Sequence, residues 1–465
     1  MSDAVFSESL AYNQVKRRAV SARSYRVKTP PTNGTSFTDG QVVQIDLAGN
    51  LAGTYYDMSS MYLKMKVKAP QAYQLDRCGA LGFIKRLQIS TAGAQIADIN
   101  NWNVLATAML DTDSSDEWKA GYGNVMLGTQ GGQLRGEGVA ADAERVYCIP
   151  LVLNPLFNTT PHRLIPGFSL SSIQIRLTLD SAAEMFLSPV AQGAPVDFTD
   201  VELCAMMTEL SPMAQAQVDA STGGKYNILA TSFMNSSANI PTTAADARLT
   251  ANLGFSMSSL ERIIAIHRPA ATVGIFDKYS LGNRTTAGIA QYQYLINAES
   301  YPARPVIVDS KGAESTAEML IADHSLVDFK KGSSFNNGVV GPTIISGPCV
   351  GATGGVQPQT AKSACFTLAT AAALGTSAGT NVAVAGAASN SNVGTYLNAT
   401  DFENGLSVGK SATIYSGIST IASNVQYLGT YVGANVGGVQ LDFFACYSVL
   451  ISLDMRGSGV FSVSV

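Results

Sequence analysis

The stretch "VQLDFFACYSVLISLDMRGSGVFSVSV", Val439 to Val465, decides how the rest of the chain is read. Leu441, Phe443, Ala445, Tyr447, Val449, Ile451 and Leu453 fall on every second position, with Asp442, Ser448, Ser452 and Asp454 among the residues between them. A period of two puts one apolar face on a sheet, so the run predicts a strand. Arg456-Gly457-Ser458-Gly459 then supplies turn chemistry, and Phe461, Val463 and Val465 resume the alternation against Ser462 and Ser464. That order predicts a terminal hairpin with a paired end.

The same form occurs once before. Ile173, Ile175, Leu177 and Leu179 alternate with Gln174, Arg176, Thr178 and Asp180, and a Pro/Gly-containing connection leads to "VDFTDVELCAMMTEL". Each half therefore closes on two strands, which suggests two similar domains without constituting a sequence repeat. A length of 465 residues fits two all-β domains. Further strands are expected in "QVVQIDLAG", "MYLKMKVKA", "FIKRLQIS", "KYNILATSFMN", "SLERIIAIHRP" and "QYQYLINAE". Asn100 to Arg145 reads as a long excursion in which "NNWNVLATAML" forms a short helix, and "AESTAEMLIADHSL" reads as a second helix. Ser211 to Gly224, small and polar, is the best boundary candidate. The fold expected is all-β: two tandem eight-stranded antiparallel jelly rolls with a few short helices in long loops. Its parts are an N-terminal arm at 1–38, a first roll at 39–215 and a second at 216–465, with a Gly/Ala/Ser-rich loop at about 340–400.

Charged residues make up 14% of the chain, low against the ~25% usual for soluble domains, which suggests that much of the surface is covered by other subunits. The net charge of −4 excludes a coat held to nucleic acid by bulk electrostatics. The one basic cluster is Lys16, Arg17, Arg18, Arg23, Arg26 and Lys28, read either as a solvated arm or as one that meets neighbouring subunits, a membrane surface or a genome. No apolar run reaches bilayer length and the N-terminus lacks the form of a signal peptide, so an intracellular product is expected. The six cysteines show no CxxC spacing and are expected as buried, reduced thiols.

Catalytic spacing is absent. His162, His267 and His324 make no ligand pair, and each reads as a structural histidine. "GGQLRGEG" at 131–138 reads as a loop, and Asp46, Glu202 and Asp442 read as solvated or edge-protecting carboxylates. No catalytic, metal or cofactor residue is proposed. Arg268, Arg284 and Arg304 with Tyr292, Tyr294 and Tyr301 form a candidate inter-subunit patch, weighed against a plain strand and turn.

With the paired strands that end each half, the run "SLGNRTTAGIAQYQYLINAESYPARPVIV" and the basic arm, the chain resembles the double-jelly-roll major capsid proteins of icosahedral DNA viruses. This is the lineage shared by adenovirus-type and PRD1-type particles, virophages and polinton-like viruses. The resemblance implies a homotrimer whose six rolls make a pseudo-hexagonal capsomer. It implies loop contacts within the trimer, sought at about 100–145 and 340–400. Neighbouring capsomers and penton or minor capsid proteins are the implied partners, and the arm would face inward toward the genome or an internal membrane. It implies location in the virion and no small-molecule substrate. The alternatives are a single-jelly-roll shell protein with a protruding domain, a carbohydrate-binding adhesin and an enzyme on a β scaffold. The first predicts unlike halves, the second a secretion signal, and the third a catalytic spacing.

Overall fold

The computed structural model describes residues 22–49, 53–91, 94–131, 135–159, 163–167, 172–187, 195–241, 247–270, 273, 280–282, 289–297, 299–308, 313–322, 349–350, 356–357, 382–383, 395–396, 419–421, 423–432, 438–454 and 460–464. Lys16, Arg17, Arg18, His162, Arg284, His324 and most of the 340–400 loop lie outside them.

The long strands of the first half are β1 (Ala22–Thr29), β2 (Val42–Ala48), β3 (Thr54–Lys68), β4 (Ile84–Thr91), β5 (Ala94–Ile99), β6 (Glu144–Pro150), β7 (Ser172–Leu179) and β8 (Asp197–Leu210). One sheet runs β1-β8-β3 with β6 on the far side of β3, and the other runs β2-β7-β4-β5. All neighbours are antiparallel. In β3, Leu63, Met65 and Val67 are buried while Lys64, Lys66 and Lys68 face outward, as the alternation predicts. These apolar residues meet Val43, Ile45, Leu87, Ile89, Ile175 and Leu177 of the second sheet in a common core. At roughly 1.5–3 kcal/mol for each large apolar side chain removed from water, this layer is what holds the sheets face to face.

The second half repeats the plan with β9 (Lys225–Ile240), β10 (Ala247–Asn252), β11 (Leu260–Pro269), β12 (Ile289–Ile296), β13 (Glu299–Ile307), β14 (Val425–Tyr431), β15 (Val439–Asp454) and β16 (Val460–Ser464). β15 pairs with β9 from Lys225↔Asp454 to Ile240↔Val439 and with β11 on its other side. The facing sheet runs β10-β14-β12-β13. β16 returns along Leu450–Asp454, which is the expected terminal hairpin.

Several expectations change. The eight-strand count is not reproduced in the first half, where short strands raise the sheets to six, four and three strands. "GGQLRGEG" is not wholly a loop: Arg135–Val139 is a strand paired with Tyr73–Asp76. The arm read as extending to residue 38 contains β1, paired along its whole length with β8. The excursion at 100–145 holds α1 (Trp102–Asp113), α2 (Asp116–Ala120) and α3 (Tyr122–Leu127). Trp102 is fully buried and donates from Nε1 to the Val152 carbonyl at 3.0 Å, so the start of this segment is core and not a contact loop. After α4 (Ala182–Met185), the boundary stretch is itself a helix, α5 (Pro212–Thr222). Ser211 caps it by accepting from the Ala214 N–H, Pro212 fits its first turn, and Gly223 closes it at φ 64°. Tyr55 donates to Gln215 at 2.9 Å and Tyr226 to Asp219 at 2.6 Å, so the connection is tied to a strand of each half. The sixth helix, α6 (Ala313–Ala322), falls where its apolar spacing places it.

In the second core, Tyr292, Tyr294, Tyr427 and Tyr431 are all buried, with Tyr427 packed on Phe443 at 4.9 Å between ring centroids. His267 lies inside β11, fully buried, with Nε2 3.2 Å from the Tyr431 hydroxyl and Nδ1 without a hydrogen-bond partner. Burial pushes its pKa down to about 4. The unfolded chain takes up that proton near pH 6.5, so the stabilisation from neutral His267 is complete above that pH and is lost as the pH falls toward 4. A displacement of this size is worth on the order of 3 kcal/mol. Unfolding measured in urea at pH 7.5 and pH 4.5 should show a smaller acid loss in His267→Gln than in wild type; equal losses would remove His267 as the cause.

Candidate assembly interface

Alternation along β15 gives one face to the sandwich core and the other to the first half of the chain. Phe443 packs against Tyr427, while Asp442, Phe444 and Cys446 point the opposite way and are buried as well. On β11, Ile264 stands opposite Phe444 and Ile266 opposite Asp442, so both isoleucines share this outer face. Arg268 follows on the same face and holds Asp442, with Nε at 3.0 Å and NH2 at 2.9 Å from Oδ2; the two side chains are 4% and 0% exposed. The other carboxylate oxygen accepts from Ser237 at 2.8 Å, Asn101 at 3.2 Å and Gln440 at 3.3 Å. Asn101 sits between β5 and α1, so a side chain of the first half completes a charge pair of the second.

A second tie runs the other way. Asp76 is buried at the end of the Tyr73–Asp76 strand, and its Oδ2 accepts from the N–H groups of Leu281 and Gly282, each at 2.9 Å. Burial raises the Asp76 carboxyl above the ordinary carboxylate range, while the N–H groups of Gly282, Arg77 and Leu281 act against that rise. Gly282 is required here, because a Cβ would stand 2.5 Å from Cδ of Arg77. Next to it, Ser280 donates its hydroxyl to Glu184 of α4, whose carboxyl is raised by burial. The Asn158 carbonyl also accepts from the Thr231 N–H at 3.2 Å, joining the edge of β9 to the first half. The geometry makes the two sandwiches one unit through oriented polar contacts set in apolar surroundings.

The predicted site residues do not gather. Arg268 belongs to this seam, and Tyr292 and Tyr294 belong to the second core, so none of the three forms part of an exposed patch. Tyr301 is half-buried and donates to Glu299 at 3.0 Å, and Arg304 is exposed on β13. Of the basic cluster, Arg23, Arg26 and Lys28 are exposed on β1, at the edge of its sheet. Arg23 lies over the Tyr25 ring, 5.3 Å from its centroid, and Lys28 pairs with Glu202 at 3.1 Å. Charges along an edge strand oppose uncontrolled strand addition. Asp442, read as a solvated carboxylate, is the most buried charge of the seam; Asp76, Asn101 and Glu184 were not anticipated. Cys78, Cys204 and Cys446 are buried and Cys148 is half-buried, with the Cys446 thiol pushed up to about 12 by burial. Among the described residues, no three His, Cys, Asp or Glu side chains gather as metal ligands.

Truncating one member of a buried, hydrogen-bonded pair leaves the other charge unpaired, at a cost of about 3–5 kcal/mol. Asp442→Ala should lose that much stability in urea denaturation, and the double variant Arg268→Met with Asp442→Leu should recover much of it. A loss below about 1 kcal/mol for Asp442→Ala would show that the seam does not depend on the pair.

No protein-family model matches the chain, and no curated protein sequence does. Solved structures do. The capsid protein VP54 of PBCV-1, fitted into a reconstruction of the virophage Sputnik, is 12% identical with a TM-score of 0.57, over 97% of this chain and 99% of that one. The PBCV-1 capsid model gives 0.56 at 12% identity over 97% and 99%. The Faustovirus major capsid protein gives 0.51 at 9% identity over 94% and 92%. The likeness spans both halves: this chain has the double-jelly-roll fold of those capsid proteins.

Proposed function

We propose that the chain is a major capsid protein that trimerises into pseudo-hexagonal capsomers and builds the icosahedral shell of a DNA virus. The observation that carries this reading is the union of two complete sandwiches into one block by a buried polar seam, in a fold matched over nearly its whole length by capsid proteins. A shell subunit works through rigid walls and adjustable surfaces and needs no reaction centre. Two sandwiches braced against each other supply the wall, and a chain with only 14% charged residues suits a surface buried against other subunits. On this reading the first roll runs from β1 to β8, the helix α5 joins it to a second roll that starts at β9, and the residues before β1 together with the exposed edge of β1 bear the contacts to genome, membrane or neighbouring capsomer. Lys16, Arg17, Arg18, Arg23, Arg26 and Lys28 are the residues assigned to those contacts. Tyr301, Arg304 and Arg284 remain as the candidates at subunit boundaries.

Light scattering on the purified protein, with negative-stain images of the same fraction, tests the proposal. A stable species of three chains with a hexagonal outline is expected. A monomer at physiological salt and at every accessible concentration would overturn the reading.

A further inference from the structure

Glu314 and Glu318 stand four residues apart in α6, so their side chains are neighbours on one helix face, where like charges repel. Ser315, three residues before Glu318, is fully buried, which turns this side of the helix toward β13, the strand it packs on. Glu314 is held in place: its Oε2 accepts from the Ile307 N–H at 3.1 Å, at the end of β13. Glu318 is half-buried, with a buried Oε2 that no hydrogen bond reaches. Burial, and after it the charge of Glu314, raises its carboxyl above the ordinary carboxylate range. Tyr292 of β12 joins the group. It is 1% exposed and its hydroxyl, like Glu318 Oε2, has no hydrogen-bond partner. Burial, then Tyr294, Glu318 and Glu314, push its pKa well above the usual phenol value, so the hydroxyl stands within electrostatic reach of both carboxylates. Among the described residues, no ion pair with Lys, Arg or His engages either glutamate.

Polar groups taken out of water are costly to leave without a partner, and two like charges on adjoining turns add to that cost. A water molecule offers hydrogen bonds to the phenol and to Glu318 but leaves the repulsion in place, whereas a cation answers both. We propose that Glu314, Glu318 and Tyr292 form a site for a hard divalent cation of the calcium class, which fastens α6 to the sheet of the second sandwich. The donor set argues for this class. All three donors are oxygens, which favours calcium, magnesium or manganese over zinc and copper. Two flexible glutamates and solvent on the exposed side suit the irregular oxygen shell of calcium better than the strict octahedron of magnesium. The partial positive charge at the start of α6, near Glu314, amounts to about half a unit, less than the two carboxylates carry. A pair of carboxylates with one neutral oxygen is a sparse set, which places the affinity at the weak end for calcium, a Kd of about 10⁻⁴–10⁻³ M. The group escapes a search for three His, Cys, Asp or Glu ligands because its third donor is a phenol. The inference goes beyond the shell reading and is decided apart from it.

Terbium(III) is the probe, since it enters oxygen-lined calcium sites and luminesces when excited through a tyrosine ring beside it. Titration of the purified full chain should give saturable luminescence that Ca²⁺ displaces, with a calcium Kd of about 10⁻⁴–10⁻³ M. Glu314→Gln with Glu318→Gln should weaken calcium binding about tenfold or more, and Tyr292→Phe should weaken it severalfold and remove much of the luminescence. Thermal midpoints in chelator keep folding and binding apart. There Glu318→Gln should melt at or above the wild-type temperature, because it removes a half-buried charge that has no partner. No calcium binding at about 10 mM, well above the expected Kd, or binding that the paired glutamine changes leave as it was, would overturn the site. A Tyr292→Phe chain that gains stability while keeping its full calcium affinity would overturn it too, by showing the phenol to be a defect of the core and not a ligand.

Discussion

The two halves of this protein meet around a charge pair with almost no access to water. Arg268 and Asp442 cannot be left there singly, because an unpaired charge in such surroundings is far costlier than the pair itself gains. The carboxylate is therefore surrounded: the guanidinium holds one oxygen, and Ser237, Asn101 and Gln440 donate to the other. Apolar packing of Ile264, Ile266 and Phe444 supplies cohesion, but it tolerates sliding. The hydrogen-bonded pair does not, and the Asp76 acceptor on Leu281 and Gly282 fixes a second point. Two fixed points on one face set how the sandwiches stand against each other.

Much of the fold is legible in local pattern. The alternation in Val449–Leu453 and in Tyr62–Lys68 survives in the structure as stretches with a buried and a less buried face, because a strand next to water on one side writes that fact into every second residue. The seam was harder to see. Ile263 to Ile266 is a continuous apolar run and Phe443-Phe444 breaks the alternation, and both are signs of a strand covered on two faces. Read with that in mind, Asp442 and Arg268 are charges inside doubly covered strands and so require partners; taken by residue type alone, they looked solvated and interfacial. Asp76, Asn101 and Glu184 give no such sign, since their roles depend on residues far away in sequence. The helix at Pro212–Thr222 was missed because its small residues resemble a linker, although Ser211-Pro212 and Gly223 are helix boundary signals. The tyrosines at 292 and 294 were taken for contact residues on composition, whereas their positions on β12 turn both toward the core.

For a shell, the physical requirement is that load applied at one face reaches the other without the subunit bending at its middle. Sheets resist bending along their strands, and the seam places a second sandwich against the first with its own sheet face as the contact. The helix between the halves adds to this, anchored by Tyr55 on one side and Tyr226 on the other. On the proposed shell reading, function is spread over faces and edges, and among the described residues the buried polar contacts of Arg268, Asp442 and Asp76 lie between the sandwiches.

The central claim is that the seam makes two sandwiches unfold and act as one body. Both tryptophans of the chain, Trp102 and Trp118, lie in the first half, so their fluorescence reports that half, while far-ultraviolet circular dichroism reports the sheets of both. Urea unfolding followed by the two signals on one sample is the direct measurement. Coincident curves with a common midpoint are the result this account predicts. A fluorescence transition separated from a second one visible only by circular dichroism would show two sandwiches that unfold independently, and would contradict it.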